Sequence, residues 1–455
     1  MIDLGGAVID WAVGKILDWL WDTAKEYITR TPIDEIHDYA EKGYAQAQYC
    51  LGFIYYKGYN VNKNYVEALY WWRRSAEEEN YAKAQYVLGC AYYEGIGTPQ
   101  NHAEAVRWFR RAAEQGLAEA QFNLGIEYYT GRFLTQDYFE ALKWHKKAAE
   151  QGNAKSQGIL GAMYYLGLGI EKDSEEAIRW YRKAAEQGLA EAQLSLGVIY
   201  EEGKCVRQNY SETVKWIRKA AEQGYTKAQL YLGNMYYEGK SVRQDYSEAI
   251  KWYRKAAEQG LDEAQFNLGI MYEVGCGVKQ DYTKALKWYH KAAEQSFVKA
   301  QFLIGNMYFY GRGIKQDYYM AAQWHRKAAE QGYADSQFNI GCMYEAGYGV
   351  GQDYFEAVKW YRLAAEQGSF QAQYNLGSMY YKGKGIEQNL AEALKWFDKA
   401  AEQGDAKAQF NLGIIYYNGY GVKRDKLEAI QCFRMAAKQG FAPAQDALRQ
   451  LGETW

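Results

Sequence analysis

Apolar positions in this chain recur with the period of an α-helix, and the same pattern returns along most of its length. In AEAQFNLGIEYYTG, residues 118–131, Phe122, Ile126 and Tyr129 follow spacings of four and three residues. This spacing predicts a buried amphipathic helix, which we name helix A. Gly131 is predicted to end it, because glycine readily adopts the left-handed backbone after a helix.

A second helical pattern, helix B, follows a short loop and reads DYFEALKWHKKAAEQ over residues 137–151. Asp137 and Glu140 form a D-x-x-E start signal, with a side-chain cap and a carboxylate in the first turn. Gly152 then occupies the position after the helix, where positive φ costs least. One unit is therefore predicted to be helix A, loop, helix B and tight turn.

The unit is repeated eleven times. A Leu-Gly or Ile-Gly dipeptide places glycine at 52, 89, 125, 161, 197, 233, 269, 305, 341, 377 and 413, a first step of 37 residues and then steps of 36. Tryptophan forms a second column at 71, 108, 144, 180, 216, 252, 288, 324, 360 and 396, which Cys432 completes. The pattern is typical of a repeat protein. The extra residue falls before Tyr81, where Asn80 replaces the usual glycine in a predicted left-handed turn.

Gly125 and Ala141 are predicted to let helices A and B cross closely, because neither residue has a bulky side chain. Turns and crossings explain most of the other glycines as well. Gly167-Leu-Gly169 resembles the start of a dinucleotide fingerprint, but it follows a helix and lacks the third glycine. A nucleotide site is therefore not expected.

These residues resemble the Sel-one-like repeat (SLR) family, relatives of the tetratricopeptide repeats. The seventh unit illustrates the likeness with Ala264-Gln265, Leu268-Gly269, Met271-Tyr272, Gly275-Cys-Gly277-Val278, Gln280-Asp281-Tyr282, Ala285, Trp288-Tyr289 and Ala292-Ala293. The resemblance spans about residues 33–450. It implies an all-α, right-handed α-solenoid (superhelix) of about eleven 36-residue helix-turn-helix repeats with terminal capping helices. It also implies a protein that binds other proteins as an adaptor, scaffold or inhibitor.

The chain departs from the family pattern in several loops. The second loop glycine is replaced at Asn60, Phe133, Cys205 and Ser241, and Ser296 replaces a helix-ending glycine. We expect the stack to bend or loosen there. The six cysteines fall singly in different units, unlike those of the secreted, disulfide-rich branch. They are predicted to be small buried apolar residues in a reducing compartment.

The two ends differ from the repeats, so we divide the chain into residues 1–30, 31–440 and 441–455. The last segment is predicted to be a polar capping helix, because Asp446 and Arg449 replace Phe and Gly of the repeat. Residues 1–30 are predicted to form an amphipathic helix that caps the first units. Self-association or docking to a partner, and a position on a membrane surface, remain open for this segment.

Charge and hydropathy limit the partners. The chain has 54 Lys+Arg against 56 Asp+Glu, which argues against nucleic acid. Its first 21 residues lack a basic segment, and Asp10, Lys15 and Asp18 interrupt the apolar run. We therefore expect neither a signal peptide nor a spanning helix, and a cytoplasmic protein.

No converging catalytic constellation appears, so an enzyme, a metal site and a cofactor are not expected. His145 and His325 occupy the position that holds tyrosine in several units and are predicted to be core aromatics. The Glu and Gln of the AEQG motif recur in nearly every unit, which indicates a structural role.

The candidate site is the concave groove that helices A would line. By analogy with tetratricopeptide repeats, its positions lie two and three before the Leu-Gly dipeptide and one, four and five after it. The candidate partner-binding residues are Phe122, Tyr129, Tyr165, Leu194, Glu201, Glu202, Leu230, Asn234, Tyr237, Glu238, Phe266, Glu273, Phe302, Asn306 and Phe309. Aromatic side chains dominate protein-binding hot spots. The alternative is that these aromatics are core between repeats.

Carboxylates gather in the middle of this groove, where Glu201 and Glu273 replace the usual tyrosine. A partner with a basic segment flanked by apolar anchors would match it, although ordinary solvated charges explain the pattern equally well. The predicted function is a non-enzymatic scaffold or adaptor for a protein or peptide. Two alternatives are an inhibitor or immunity protein that neutralises a toxin, and a membrane-surface adaptor anchored by residues 1–30.

Overall fold

The structure, a computed structural model, describes residues 13–204 and 206–455. This part of the chain contains twenty-five helices and no strand, as the repeat pattern predicts. Two helices precede the repeats: α1 (Val13–Arg30) and α2 (Ile33–Glu41). A last helix, α25 (Ala442–Gln450), follows them.

Each repeat contributes one helix A and one helix B. Helix A of repeats 1 to 11 is α3 Ala45–Lys57, α5 Ala82–Glu94, α7 Ala118–Thr130, α9 Ala154–Leu166, α11 Ala190–Glu202, α13 Thr226–Glu238, α15 Asp262–Val274, α17 Val298–Tyr310, α19 Ala334–Ala346, α21 Phe370–Lys382 and α23 Ala406–Asn418. Helix B is α4 Tyr65–Glu77, α6 His102–Glu114, α8 Tyr138–Glu150, α10 Ser174–Glu186, α12 Tyr210–Glu222, α14 Tyr246–Glu258, α16 Tyr282–Glu294, α18 Tyr318–Glu330, α20 Tyr354–Glu366, α22 Leu390–Glu402 and α24 Lys426–Lys438.

The described residues divide into two compact bodies. The N-terminal body runs up to Met235 and includes Gly239–Arg243, and the C-terminal body comprises Tyr236–Glu238 and Gln244–Trp455. Within each body, a helix A packs against the helix B that follows it and against the helix B of the preceding repeat. The chain is thus an all-α solenoid built from consecutive helix pairs.

Local signals set the helix ends. The Asp137 side chain accepts hydrogen bonds from the backbone N–H groups of Phe139 (2.9 Å) and Glu140 (3.0 Å), so the predicted cap of helix B is confirmed. Gly131 ends α7 with φ 68°, and Gly152 follows α8 with φ 92°. Both are left-handed conformations that glycine adopts at little cost.

Non-glycine residues occupy several of the exceptional turns. Asn80 has the predicted positive φ of 50°, and Asn60, Ser241 and Ser296 have φ between 57° and 65°. Phe133 stacks on the ring of His102, with centroids 3.8 Å apart. These substitutions keep the turn geometry or add a ring contact. Cys205 lies outside the described residues.

The helix A–helix B crossing is as close as predicted. A Cβ on Gly125 would lie 2.8 Å from the His145 ring. Ala141 is fully buried at the same crossing. His145 and His325 are buried core side chains, 0% and 1% exposed, so their assignment to the core is confirmed.

Glutamine side chains connect successive repeats. Gln187 donates from Nε2 to Oε1 of Gln157 (2.7 Å), and Gln157 donates in turn to the carbonyl oxygen of Ala149 (3.0 Å). The same pair of bonds recurs between other repeats, for instance at Gln367 and Gln337. Because an unsatisfied buried amide costs about 1–3 kcal/mol, these motif glutamines are structural.

The ends of the stack are formed by different means. At the C-terminus, α25 packs on α24 with Ala444 and Leu448 buried. At the N-terminus, α2 packs against α3, whereas α1 packs against α3 and α5. Residues 1–12, the first part of the predicted N-terminal helix, lie outside the described residues.

Candidate functional site

We define the A-helix face as positions −3, +1, +4 and +5 of helix A, counted from the glycine of its Leu-Gly or Ile-Gly dipeptide. These positions include all fifteen predicted partner-binding residues. The spacings of three and four residues between them place them on one side of each helix.

In the N-terminal body, most predicted residues are partly open to solvent. Phe122 is buried, Glu202 is exposed, and the half-buried residues are Tyr129, Tyr165, Leu194, Leu230 and Asn234. Tyr129 packs edge-to-face on Tyr138 of helix B, with ring centroids 5.5 Å apart. The Tyr165 hydroxyl lies 3.4 Å from Oε2 of Glu202, and Lys172 Nζ lies 5.3 Å from the Tyr165 ring. These rings are held in place while part of their surface stays accessible.

The C-terminal body repeats this arrangement. Glu238 is exposed, and the half-buried residues are Tyr237, Phe266, Glu273, Phe302, Asn306 and Phe309. Phe266 contacts Phe297 at 5.1 Å between ring centroids, and Phe302 contacts Tyr333 at 5.2 Å. Phe297 and Tyr333 lie in the turns before the following helices A. The aromatic residues at position −3 therefore fit both interpretations. They pack between repeats, as core residues do, and part of their surface remains accessible to a partner.

The carboxylates at position +4 are engaged inside the repeats. The Tyr289 hydroxyl donates to Oε2 of Glu273 (2.6 Å), and the Tyr361 hydroxyl donates to Oε2 of Glu345 (2.7 Å). Each tyrosine comes from helix B of the same repeat. These two carboxylates therefore satisfy buried hydroxyl groups.

Glu201 is only 4% exposed and belongs to a closed polar network. Its repeat has Ile217 where Tyr289 stands in repeat 7, so no hydroxyl is offered from its own helix B. The carboxylate instead accepts hydrogen bonds from Tyr231 and from Ser241 (3.0 Å), and Lys240 Nζ lies 3.4 Å away. This burial does not fit the prediction of Glu201 as a surface contact, and the predicted acidic patch loses that residue.

Repeats 1 and 2 differ because α1 covers their A-helix face. Tyr49 and Tyr86 at position −3 are 3% and 2% exposed, and Phe53 and Cys90 at position +1 are fully buried. Position −3 is half-buried in repeats 5 to 11. Position +1 is half-buried in repeats 3 to 11 except repeat 4, where it is the buried Ala162. The face is therefore closed where α1 packs and partly open beyond it.

A buried carboxylate that the repeat motif does not predict lies in repeat 3. Glu127, at position +2, is 6% exposed, and burial raises the pKa of its carboxyl group. Its Oε2 has no hydrogen-bond partner within the described part of the chain. The other repeats have Ile54, Ala91, Met163, Ile199, Met235, Met271, Met307, Met343, Met379 and Ile415 there. Glu127 can be identified from the sequence by comparing position +2 between the repeats.

Replacing Glu127 with methionine is expected to stabilise the protein by about 2 kcal/mol at neutral pH. The change removes a buried carboxylate whose Oε2 lacks a hydrogen-bond partner, and it buries a thioether side chain. Because the folded pKa is raised, wild-type stability falls as pH rises from the unfolded value through the folded one, so the gain should be smaller at acidic pH. Urea unfolding followed by circular dichroism, at neutral and at acidic pH, measures the difference in the free energy of unfolding.

Glu171→Met is the matched control, since Glu171 is exposed in the loop before α10. This control is expected to change the free energy of unfolding by less than about 0.5 kcal/mol. A lower stability of Glu127→Met would contradict the inference that this carboxylate destabilises the fold.

Among the described residues, no group of three or more His, Cys, Asp or Glu side chains could hold a metal ion. In the same part of the chain, none of the helices has the length and apolar character needed to cross a membrane.

Comparison with known protein families identifies the repeats. The family described as Sel1 repeat matches residues 45–80, 82–117, 118–153, 154–189, 190–225, 226–261, 262–297, 298–333, 334–369, 370–405 and 406–441. These eleven segments agree with the eleven units read from the glycine and tryptophan columns. Comparison with curated protein sequences found no match.

Solved structures give the same result. A protective antigen present in uropathogenic Escherichia coli strains, which displays an SLR fold, is 39% identical over 92% of this chain and 90% of its own, with a TM-score of 0.71. A Sel1 repeat protein from Oxalobacter formigenes is 35% identical over 72% and 93%, with a TM-score of 0.55. An immunity protein from Pseudomonas aeruginosa is 21% identical over 47% and 81%, with a TM-score of 0.31, too little to support an argument.

Proposed function

This chain belongs to the Sel1 repeat family, and we propose that it is a non-enzymatic scaffold that receives protein partners on its A-helix face. Sel1 repeat proteins generally mediate protein–protein interaction, and the family is typically non-enzymatic. The finer proposal concerns where the partner binds and by which chemistry.

The observation that carries the proposal is a set of half-exposed apolar side chains that recurs along helices A. In repeats 3 to 5, Ile126, Tyr129, Tyr165, Leu194 and Val198 keep part of their surface accessible. Such side chains offer contact area that a partner can bury at low conformational cost, because their packing against the repeat already restricts their rotamers. In each body they occupy equivalent positions of successive helices A, so one partner could contact several repeats.

The exposed carboxylates favour a partner with basic residues. Glu202 in the N-terminal body and Glu238 in the C-terminal body are the exposed carboxylates among the predicted residues. Each lies at position +5, beside the aromatic residue at +4 of its own or the preceding repeat. A partner that places a basic residue next to an apolar anchor would match this combination.

Affinity capture compared between two variants tests the proposal. Tyr129→Ala with Tyr165→Ala removes two half-exposed rings, and we expect specific partners to be recovered about tenfold less. Phe139→Ala with Tyr210→Ala is the matched control, because both residues are exposed aromatics of helices B. Quantitative mass spectrometry measures recovery after circular dichroism has confirmed unchanged helicity.

Equal recovery by both variants would contradict binding on the A-helix face. The number of partners in the same experiment separates the two kinds of binding protein. An adaptor retains several partners of moderate affinity, whereas a dedicated inhibitor retains one very tight partner.

A further inference from the structure

Helix α1 is positioned as a ligand would be, across the helices A. It packs against α3 and α5, the helices A of repeats 1 and 2, which are separated in the chain by α4. The next helix, α2, packs against α3 as an ordinary helix B does. Helix α1 is therefore seated on the A-helix face itself.

The contacts of α1 are those of an amphipathic helix in a groove. Leu17, Leu20, Ala24 and Ile28, spaced three, four and four residues apart, are buried in one cluster with Tyr49, Phe53 and Tyr86. The Trp21 ring lies 5.7 Å from Tyr59, and Asp18 forms an ion pair with Lys57. Apolar anchors on one stripe, flanked by a polar contact, characterise helix-in-groove recognition.

The residues beneath α1 match those that remain open farther along. Position −3 is Tyr49 and Tyr86 under α1 and the half-buried Leu194 in repeat 5, whereas repeat 3 has the buried Phe122 and repeat 4 has Gly158. Position +4 is Tyr56 under α1 and Tyr129 and Tyr165 beyond it. The open face adjoins the covered one, because α7 follows α5 in the same body.

We propose that the A-helix face of repeats 3 to 5 binds an amphipathic α-helix of a partner protein, laid across α7, α9 and α11 as α1 lies across α3 and α5. This inference rests on the proposed function and names the class of partner. The 18 residues of α1 correspond to about 27 Å of helix. A partner helix of about 20 residues, with apolar residues spaced as in α1, would reach three helices A at typical spacings of about 10 Å.

The probe is a fluorescent peptide with the sequence of residues 13–30, titrated with the full chain. Saturable binding is expected. A peptide carrying Leu20→Glu and Ala24→Glu should bind at least about tenfold more weakly, because it loses two anchors of the stripe. Absence of saturable binding would overturn the proposal.

Variants of the full chain locate the bound peptide. Ile126→Asn with Val198→Asn should weaken binding about tenfold, and asparagine is compatible with the fold because Asn234 and Asn306 occupy the same position. Phe139→Ser is the matched control on helix B, where Ser211 and Ser247 occupy that position. Equal binding by both variants would overturn the proposal.

A locked chain distinguishes binding to repeats 3 to 5 from exchange with α1. Asp18→Cys with Lys57→Cys, joined by a short bis-maleimide cross-linker that replaces the ion pair, fixes α1 on α3. Binding should persist in the cross-linked protein, whereas binding only before cross-linking would mean exchange at repeats 1 and 2 and would overturn the proposal. If the peptide fails to bind but affinity capture of partners still depends on Tyr129 and Tyr165, the proposal of a helical partner is rejected. The proposed binding on the A-helix face then stands.

Discussion

Replacing Gly269 with alanine is expected to lower the free energy of unfolding by about 2 kcal/mol, although alanine is the better helix former. The new Cβ would lie 2.4 Å from Cε1 and 2.6 Å from Cδ1 of Tyr289. That ring is fully buried, and its hydroxyl is held by Glu273, so it has little room to move away. The overlap must separate α15 from α16. Urea unfolding followed by circular dichroism measures the resulting decrease in the free energy of unfolding.

Gly351→Ala is the matched control for this substitution. Gly351 is exposed in a loop, and no described heavy atom lies within 4 Å of the position its Cβ would take. Its free energy of unfolding should change by less than about 0.5 kcal/mol. If Gly269→Ala raises stability by the roughly 1 kcal/mol that helix propensity alone suggests, the close crossing is wrong.

Acidification is expected to destabilise the protein through His145 and His325. Burial lowers the pKa of His145 to about 3 and that of His325 to about 4. The unfolded chain takes up these protons near the ordinary value of about 6.5, whereas the folded protein does not, so stability falls as pH drops below that value. At about pH 5 the loss should be about 2 kcal/mol for each histidine.

The double variant His145→Phe with His325→Phe should remove most of this pH dependence. Phenylalanine suits the position, because Phe109, Phe397 and Phe433 occupy it in other repeats. His37→Phe is the control, since His37 is exposed on α2. Urea midpoints at neutral and acidic pH measure the slope, and an unchanged slope in the double variant would contradict the assignment.

The helices and their ends could be predicted because the forces that set them act within a few residues. Asp137 bonds to backbone groups two and three residues away, and Gly131 and Gly152 relieve backbone strain at their own positions. The repetition then gave independent evidence for each feature. A residue that replaces a core aromatic in its column, as His145 does, could be assigned to the core without coordinates.

The candidate site was less predictable, because column comparison treats each position separately. Glu201 and Glu273 occupy the same column and appeared equivalent. Their environments differ because helix B offers Tyr289 to Glu273 but Ile217 to the repeat of Glu201. Glu201 is instead bonded by Tyr231 and Ser241, 30 and 40 residues along the chain. Which side chains meet across a repeat boundary depends on packing.

By itself, the amino-acid sequence determined the helix pairs, their number and the close crossings, since periodicity, caps and small residues are properties of each repeat. Only the tertiary structure decided which parts of the A-helix face are open. It placed α1 on α3 and α5 and closed Tyr49 and Phe53, while later repeats kept comparable side chains partly accessible. An amphipathic pattern identifies an apolar stripe, but the surface that covers this stripe is set by contacts between distant segments.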